Sequence, residues 1–486
     1  KKTVITLNLA LAVSLGFSQN WTETQKQSAL DRGQTDYFGY AVDMDGNYAV
    51  VGSYLEDEDA AGTNTVSGAG SVYIYERNGA GMWNQIQKIV PSDRALNDNF
   101  GYDVAIDGDF IVVGARWEDH DASGSNNQFN AGSVYIFKKN TSGMWIQEQK
   151  IVASDRENSD EFGTSVAISG SFLVVGAPEE DDDELGANAL SKAGSAYVFE
   201  RNGAGVWNQV NKIVASDRNI FDSFGTSVAI SGSYLVVGAP EEDEDVSGLN
   251  TLDNSGAAYI FSYDGNNWLQ QSKIVSSDRQ DFDQFGKSVD IDGDVTLIGA
   301  PFEDHDTTGI IFKSNAGSAY FFERNGSSWP QLQKVAPNDR SDDDNFGWDV
   351  SLDNNLALFG ANVDDDDEHN ASPLADAGSA YLYERFGNNW SESQKFDASD
   401  RAMDDLFGSA VSISGGYAII GAFWEDEDAN AMNNLDGAGS IYFFEDQITT
   451  TVSSEITNNE LKLYPNPTTG LAQLKVEADA QYDADS

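Results

Sequence analysis

Short apolar runs and polar loops alternate along the chain in one order that recurs seven times. Residues 162–214 show the unit: the run "FGTSVAI", a two-residue turn, the run "SFLVVGAP", an acidic loop, and the runs "AGSAYVFER" and "WNQVNKIV". Short runs of β-branched and aromatic residues bounded by Gly, Asn and Asp are typical of strands joined by hairpin turns. Each unit therefore predicts four antiparallel strands.

The repeat keeps one register through the chain. The pair Phe-Gly recurs at spacings of 61 or 62 residues, and a tryptophan lies 17 residues before each pair. The pairs begin at Phe38, Phe100, Phe162, Phe224, Phe285, Phe346 and Phe407. A single four-stranded sheet cannot bury both of its faces, whereas a closed ring of such sheets can. The repeat therefore predicts an all-β fold, a seven-bladed β-propeller of four-stranded antiparallel blades.

The two ends of the array distinguish a propeller from a linear β-solenoid, whose repeats are usually shorter and whose strands are usually parallel. The first copy opens with the strand at Trp21, and the last copy ends after "GSIYFFED" with no tryptophan strand behind it. We expect residues 21–27 to pair with residues 441–444, because this pairing closes the ring and removes both exposed edges.

The motifs "FGTSVAISGSFLVVGAP" and "AGSAYVFER" resemble the FG-GAP repeats of integrin alpha-subunit propellers and of their bacterial relatives. The resemblance covers residues 21–445 and implies the propeller fold, but one propeller frame hosts many functions. Integrin-type calcium motifs lie in a longer loop between the first two strands, and here that link is a tight turn such as Asp45-Gly46 or Asp292-Gly293. The integrin calcium site is therefore not carried over.

Both ends of the chain carry features of export. Residues 1–19 have the charged, apolar and small-residue order of a secretory signal peptide, with a buried strand as the alternative. Residues 20–445 form the predicted propeller and residues 446–459 a polar linker. Residues 460–486, with "LKLYPNPTTGLAQLKVE", resemble the start of the sorting domain read by the type IX secretion system; an ordinary strand and Pro-Asn turn is the alternative. The resemblance implies a secreted or cell-surface location, with the type IX machinery as a partner.

Net charge narrows the possible partners. The chain has 80 acidic and 28 basic residues and a formal charge of −52, which repels nucleic acid and favours cations or basic partners. We expect no nucleic-acid partner. No segment is apolar over the length needed to span a bilayer, so we expect no membrane span in the mature chain. With no cysteine, a thiolate nucleophile and a cysteine-ligated zinc are excluded.

The acidic loop is the candidate metal site. Its four-residue core reads Asp or Glu, then Asp, any residue and Asp in all seven copies. Asp-x-Asp places two carboxylates on one side of an extended loop, and calcium takes six to eight oxygen ligands. The pattern is not an EF-hand. We predict calcium as the cofactor, with these ligands: Asp57, Asp59, Asp119, Asp121, Asp181, Asp183, Asp243, Asp245, Asp304, Asp306, Asp365, Asp367, Asp426 and Asp428.

A structural role for the repeated acids is the alternative. The loop that enters the first strand opens on the same face and reads Asp-Arg-x-x-x-Asp-x-Phe-Gly in all seven copies, as at Asp155, Arg156 and Asp160. On this alternative Arg156 pairs with a loop carboxylate and Asp160 accepts backbone N–H groups. Repulsion between like charges, roughly 1 kcal/mol per pair at about 4 Å in water, favours a cation. We call the face with both sets of loops the acidic face.

Ligand specificity is expected where the copies differ. The two residues before each acidic core vary, and in blades seven, one and two, which are neighbours in a closed ring, they include Tyr54, Arg116, Trp117, Phe423 and Trp424. Aromatic residues and arginine on adjacent loops are typical of binding hot spots and of surfaces that stack on sugars. Packing beneath their own loops is the alternative. We predict a glycan or protein ligand at these five residues.

Catalysis has little support in the sequence. The histidines are His120, His305 and His369, and no Ser-His-Asp set is recognisable. A carboxylate pair of the glycosidase type stays open because acids are so abundant. The sequence therefore favours an exported binding or adhesion module stabilised by calcium and without enzymatic activity. A polysaccharide-acting enzyme and a passive structural surface protein are the alternatives.

Overall fold

The computed structural model describes residues 20–367, 373–429 and 434–447, together with two strands at 462–464 and 473–475. The predicted signal peptide, residues 1–19, lies outside the described residues, as does most of the predicted linker and sorting domain. The chain divides into a unit of residues Trp21–Asp446 and a unit that combines residues 1–20 and 447–486. Within the second unit, β29 (Lys462–Tyr464) pairs antiparallel with β30 (Gln473–Lys475).

Seven four-stranded antiparallel sheets make up the first unit, which confirms the predicted propeller. From the channel outward, blade 1 consists of β2 (Ala41–Asp45), β3 (Tyr48–Ser53), β4 (Ser71–Arg77) and β5 (Trp83–Ile89), blade 2 of β6 (Phe100–Asp107), β7 (Phe110–Ala115), β8 (Ser133–Lys139) and β9 (Trp145–Ile151), and blade 3 of β10 (Ser165–Ser169), β11 (Phe172–Ala177), β12 (Ser195–Arg201) and β13 (Trp207–Ile213). Blade 4 consists of β14 (Ser227–Ser231), β15 (Tyr234–Ala239), β16 (Ala257–Tyr263) and β17 (Trp268–Ile274), and blade 5 of β18 (Val289–Asp292), β19 (Val295–Ala300), β20 (Ser318–Glu323) and β21 (Gln331–Val335). Blade 6 consists of β22 (Val350–Asp353), β23 (Leu356–Ala361), β24 (Ser379–Phe386) and β25 (Asn389–Phe396), and blade 7 of β26 (Ala410–Ser414), β27 (Tyr417–Ala422), β28 (Ser440–Asp446) and β1 (Trp21–Gln27). The described residues contain no helix that could cross a bilayer.

The first strand of the chain closes the ring, as predicted. β1 pairs antiparallel with β28, from Trp21 opposite Asp446 to Gln27 opposite Ile441. The side chain of Gln394 in blade 6 donates to the Trp21 carbonyl at 2.8 Å. Gln25 makes the same bond, also 2.8 Å, to Trp83 of blade 1. The closing strand is therefore joined to its neighbouring blades like any other outer strand.

Glycine contacts between blades explain why the two glycines of the repeat recur. Gly163, of the Phe-Gly pair that enters blade 3, has a φ of +97°. Its carbonyl faces Gly114 of blade 2, where an added Cβ would lie 2.0 Å from the Gly163 oxygen. A side chain at Gly114 would force the two backbones apart, and one at Gly163 would strain the left-handed backbone.

Aromatic packing fills the spaces between blades. The Trp83 ring stacks on Phe443 of blade 7 with centroids 4.6 Å apart, and the Trp390 ring stacks on Phe321 of blade 5 at 4.2 Å. All seven repeat tryptophans are buried, and each hydrophobic cluster takes residues from adjacent blades. The core is thus a ring of interfaces between blades, and it is completed only when the ring closes.

The turn between the first two strands lies one residue later than predicted. In blade 1 the two linking residues are Gly46 and Asn47 rather than Asp45 and Gly46, because Asp45 is the last paired residue of its strand. Gly46 has a φ of +57°. The tight turn leaves no long loop between these strands, so the acidic loop between the second and third strands is the long connection of the blade.

Candidate ligand-binding site

The first acid of each acidic core is buried and paired with a lysine, a relationship that the sequence did not reveal. In blade 3, Glu180 lies under the loop and accepts a hydrogen bond of 2.5 Å from the Tyr197 hydroxyl. Lys212, on the outer strand, lies 3.3 Å from Glu180 and 2.8 Å from Asp155. The equivalent lysines, each paired with two carboxylates, are Lys26, Lys88, Lys150, Lys273, Lys334 and Lys395. These lysines therefore neutralise part of the negative charge on the acidic face, which we expected a bound cation to neutralise.

The Asp-Arg motif joins consecutive blades. Asp155 forms an ion pair with Lys212 of blade 3. Arg156 instead donates hydrogen bonds of 2.9 Å to the backbone carbonyls of Asp119 and Asn126, in the acidic loop of blade 2. The predicted pairing of Arg156 with a loop carboxylate is thus corrected, because the guanidinium binds backbone carbonyls instead. Asp160 accepts the backbone N–H of Glu157, as predicted.

The aspartates predicted as calcium ligands hold the acidic loops in shape. Asp181, at the second core position, accepts the backbone N–H of Lys192 at 2.7 Å through Oδ1. Asp183, at the fourth position, accepts the N–H groups of Leu185 and Ala187 through Oδ1 and the Asn188 amide through Oδ2. The second-position bond recurs at Asp57, Asp119, Asp243, Asp304, Asp365 and Asp426. Fourth-position bonds recur at Asp59, Asp121, Asp245 and Asp306, and Asp367 and Asp428 also have interaction partners.

Hydrogen bonding also stabilises the charged form of these carboxylates. The N–H of Thr63, with other donors of the same loop, lowers the pKa of Asp59 to about 2. Among the residues that the structure describes, no three acids or histidines are grouped closely enough to hold a metal. His120 contacts Glu118 and His305 contacts Glu303 in separate blades, while His369 lies outside the described residues. Calcium at the acidic loops stays a prediction.

The variable residues of blades 7, 1 and 2 come together on the acidic face. Tyr54 packs against Tyr40 with ring centroids 4.5 Å apart, and Phe423 packs against Tyr40 at 5.3 Å. The Trp424 ring lies 5.1 Å from Tyr37. We call this group, whose members are all half-buried, the mouth cluster: Tyr37, Tyr40, Tyr54, Tyr102, Arg116, Trp117, Phe423 and Trp424.

Arg116 links the aromatic rings to the next blade. Its guanidinium lies 3.7 Å from the centroid of the Tyr102 ring and 4.7 Å from that of Trp117. It also lies 3.6 Å from Glu161 of the loop that enters blade 3, and the Trp117 indole N–H donates to Glu161 at 3.1 Å. The structure therefore brings together all five predicted ligand-binding residues, and it places Arg116 in a cage that fixes its orientation.

A cavity of about 500 Å³ lies beside the mouth cluster, in the channel at the centre of the ring. Tyr40, Tyr102 and Phe423 form one side of it, and Lys287 and Trp348, from blades 5 and 6, line it as well. Each innermost strand begins at the acidic face, so the residue that directly follows each Phe-Gly pair lies at the mouth. The volume is within the range of pockets for small ligands, about 300–1,000 Å³.

Aspartates on the channel wall join the innermost strands. Asp103 of blade 2 accepts the N–H of Val166 of blade 3 at 2.7 Å, and Asp349 of blade 6 accepts that of Val411 of blade 7 at 2.7 Å. Burial raises the pKa of Asp103 to about 7 and that of Asp43 to about 6. Among the described residues, the innermost strands of adjacent blades do not pair through their backbones, and these side-chain hydrogen bonds join them instead.

Sequence reasoning missed part of the site because it considered only the two variable residues before each acidic core. The residue that directly follows Phe-Gly is Tyr40, Tyr102, Lys287 or Trp348 in blades 1, 2, 5 and 6, where blades 3, 4 and 7 have Thr164, Thr226 and Ser409. Large or charged residues at a position that is otherwise small and polar would have identified the mouth of the channel. Tyr37 stands just before Phe-Gly, where the other copies have no aromatic residue.

Comparison with known protein families supports the repeat. The family profile described as FG-GAP repeat matches residues 21–75, 83–137, 145–199, 207–261, 268–322, 329–383 and 390–444. A crystal structure of a protein from Lactobacillus plantarum is similar at 12% sequence identity and a TM-score of 0.46, over 76% of this chain and 86% of that one. No curated protein matches the chain.

Proposed function

We propose that this chain, which belongs to the FG-GAP repeat family, is an exported binding or adhesion module that recognises a glycan or protein ligand at the mouth cluster. The observation that carries the proposal is the continuity of the cluster with the cavity. Tyr40 contacts Tyr54, Tyr102 and Phe423 and lines the cavity at the same time. A ligand seated there would contact rings from three blades.

Blade folding does not require these aromatic residues, which supports a binding role. Blades 3 and 4 have Pro-Glu before their acidic cores, at Pro178 and Pro240, and threonine at the mouth, yet they form the same four-stranded sheets. Half-buried aromatic rings and a caged arginine are the composition of interaction hot spots. A cluster with no structural necessity and partial exposure is best explained by a ligand.

Export and calcium belong to the proposal as well. The signal-like residues 1–19 and the sorting-like residues 460–486 support secretion to the cell surface or medium, with the type IX machinery as the partner. The density of acids on one face supports calcium, although lysines and loop donors already engage many of those carboxylates. A calcium ion would compete with these donors for the same oxygens.

A screen of the full chain against a glycan array and a random peptide library tests the proposal. We expect a ligand in one of them, bound without turnover, and we expect the comparison with and without calcium to show whether the cation contributes. Release of a shortened glycan would favour the polysaccharide-acting enzyme instead. A folded protein that binds neither would contradict the binding module and favour a passive surface protein.

A further inference from the structure

We propose that the cavity at the channel mouth binds a carboxylate-bearing sugar residue and that the ammonium of Lys287 binds its carboxylate. The inference rests on the proposed function and names the class of its ligand. It is based on Lys287, which lines the cavity without forming an ion pair with any carboxylate of the described residues. Blades 3, 4 and 7 have a small residue, threonine or serine, at the same position.

The contacts of Lys287 differ from those of the buried blade lysines. Each of those seven pairs with two carboxylates, as Lys150 does with Asp93 at 2.8 Å and Glu118 at 2.7 Å. Within the described residues Lys287 has no such ion pair, and its ammonium lies 5.3 Å from the centroid of the Trp348 ring. In a chain of net charge −52, an ammonium left without a carboxylate in a cavity indicates a site for an external anion.

Desolvation lowers the pKa of Lys287, while Glu241 acts in the opposite direction. Arg116 is the other cation that acts on this charge, and it lowers the pKa further. An anion bound beside Lys287 would favour the charged form of its ammonium. Of the two cations Lys287 is the available one, because Arg116 is already held by Glu161 and by two rings.

The rest of the cavity favours a sugar acid over a simple anion. Trp348, Tyr40 and Tyr102 offer aromatic faces for the C–H face of a sugar ring. Deeper in the channel, the side-chain oxygens of Asp103 and Asp349 already accept backbone N–H groups, and each oxygen has a second lone pair that can accept a hydrogen bond from a hydroxyl group. A ligand with one carboxylate and several hydroxyls satisfies both parts of the cavity, whereas phosphate or sulfate satisfies only the Lys287 end.

Calorimetric titration of the full chain with methyl β-glucuronide and with methyl β-glucoside tests the inference, since the two differ only in the carboxylate. We expect the glucuronide to bind wild type at least about tenfold more tightly, the effect of one charged hydrogen bond. Lys287→Met, which keeps most of the apolar stem, should lose this preference. Lys138→Met, whose lysine is on the outer part of blade 2, should keep it.

The possible failures have different meanings. Equal binding of both glycosides, or an undiminished preference in Lys287→Met, overturns the sugar-acid inference and leaves the proposed function standing if the glycan array still yields a ligand. Preference for an N-acetylated aspartate peptide over the glucuronide overturns the sugar class. If Lys287→Met does not fold, the same comparison in Lys287→Gln, which removes the charge but keeps a polar end, decides the question.

Discussion

The hydroxyl of Tyr40 donates a hydrogen bond of 3.0 Å to the hydroxyl of Tyr102. The two tyrosines occupy the same position in blades 1 and 2, and their ring centroids lie 5.1 Å apart. The Arg116 guanidinium packs on the Tyr102 ring and forms an ion pair with Glu161, in the loop that enters blade 3. Residues that distinguish these blades from the other copies therefore form one connected group, rather than separate substitutions on separate loops.

Replacing Lys150 by methionine should destabilise the propeller strongly. The substitution leaves Glu118, which is fully buried, and Asp93 without their cation. Removing one partner of a buried ion pair costs about 3–5 kcal/mol in the free energy of unfolding. Lys138→Met in the same blade is the matched control, because its pair with Glu148 is long, at 3.7 Å, and partly exposed, and we expect a change within about 0.5 kcal/mol. Similar effects of the two substitutions in denaturant unfolding would contradict the structural role of the buried lysines.

Stability should fall as the pH rises from about 5 to about 8. Burial raises the pKa of Asp98 and Asp160 to about 7 and that of Asp283 to about 8, from 3.8. The folded state then holds protons that the unfolded state has lost, so this stabilisation is full below about pH 4 and disappears as the pH passes through 7 to 8. Below pH 4, loop aspartates such as Asp59, whose pKa is lowered to about 2, act in the opposite direction.

Melting temperatures measured between pH 4 and pH 9 at constant ionic strength check this dependence. Asp160→Asn is the matched variant, because the amide oxygen still accepts the N–H of Glu157 while the titration is removed. We expect this variant to gain stability over wild type at pH 8 more than at pH 5. A melting temperature that is constant or rises toward pH 8 would count against the buried aspartates as the cause.

Calcium should raise the melting temperature if the acidic loops bind it in the folded state. A ligand that binds only the native protein stabilises it in proportion to the logarithm of its concentration over Kd. We expect a higher melting temperature in millimolar calcium than in chelator, and a smaller shift in Asp57→Asn, whose Oδ1 still accepts the N–H of Gly68. Identical melting in calcium and in chelator would end the calcium proposal.

The fold was predictable because the constraints that set it act at every repeat. Seven blades were predicted from the strand runs, the turns and the constant spacing of Phe-Gly and tryptophan. Closure of the ring by the strand at Trp21 was predicted from the missing outer strand at the end of the array. Hydrophobic periodicity can be recognised within each repeat, and an exposed strand edge can be recognised at the ends of the array. Because seven copies show the same pattern, they all predict the same fold.

The environment of each acid was not predictable from the same repeats. Glu180 and Asp183 stand in one acidic run, yet Glu180 is buried against Lys212 and Asp183 closes a solvated turn. Which carboxylate enters the interior depends on a lysine some thirty residues further along the chain. The contacts of Tyr37 and Lys287 likewise depend on which loops the closed ring places around one channel.

Titration of the strongest array or library ligand against wild type, Trp117→Ala and Trp424→Ala tests the central claim most directly. Phe386→Ala is the matched control, because Phe386 is 67% exposed at a turn on the opposite face. We predict that each tryptophan substitution lowers the affinity by at least about tenfold with the melting temperature retained, as truncation of a hot-spot aromatic residue does. Phe386→Ala should bind like wild type. Unchanged affinity in both tryptophan variants would contradict a binding site at the mouth cluster.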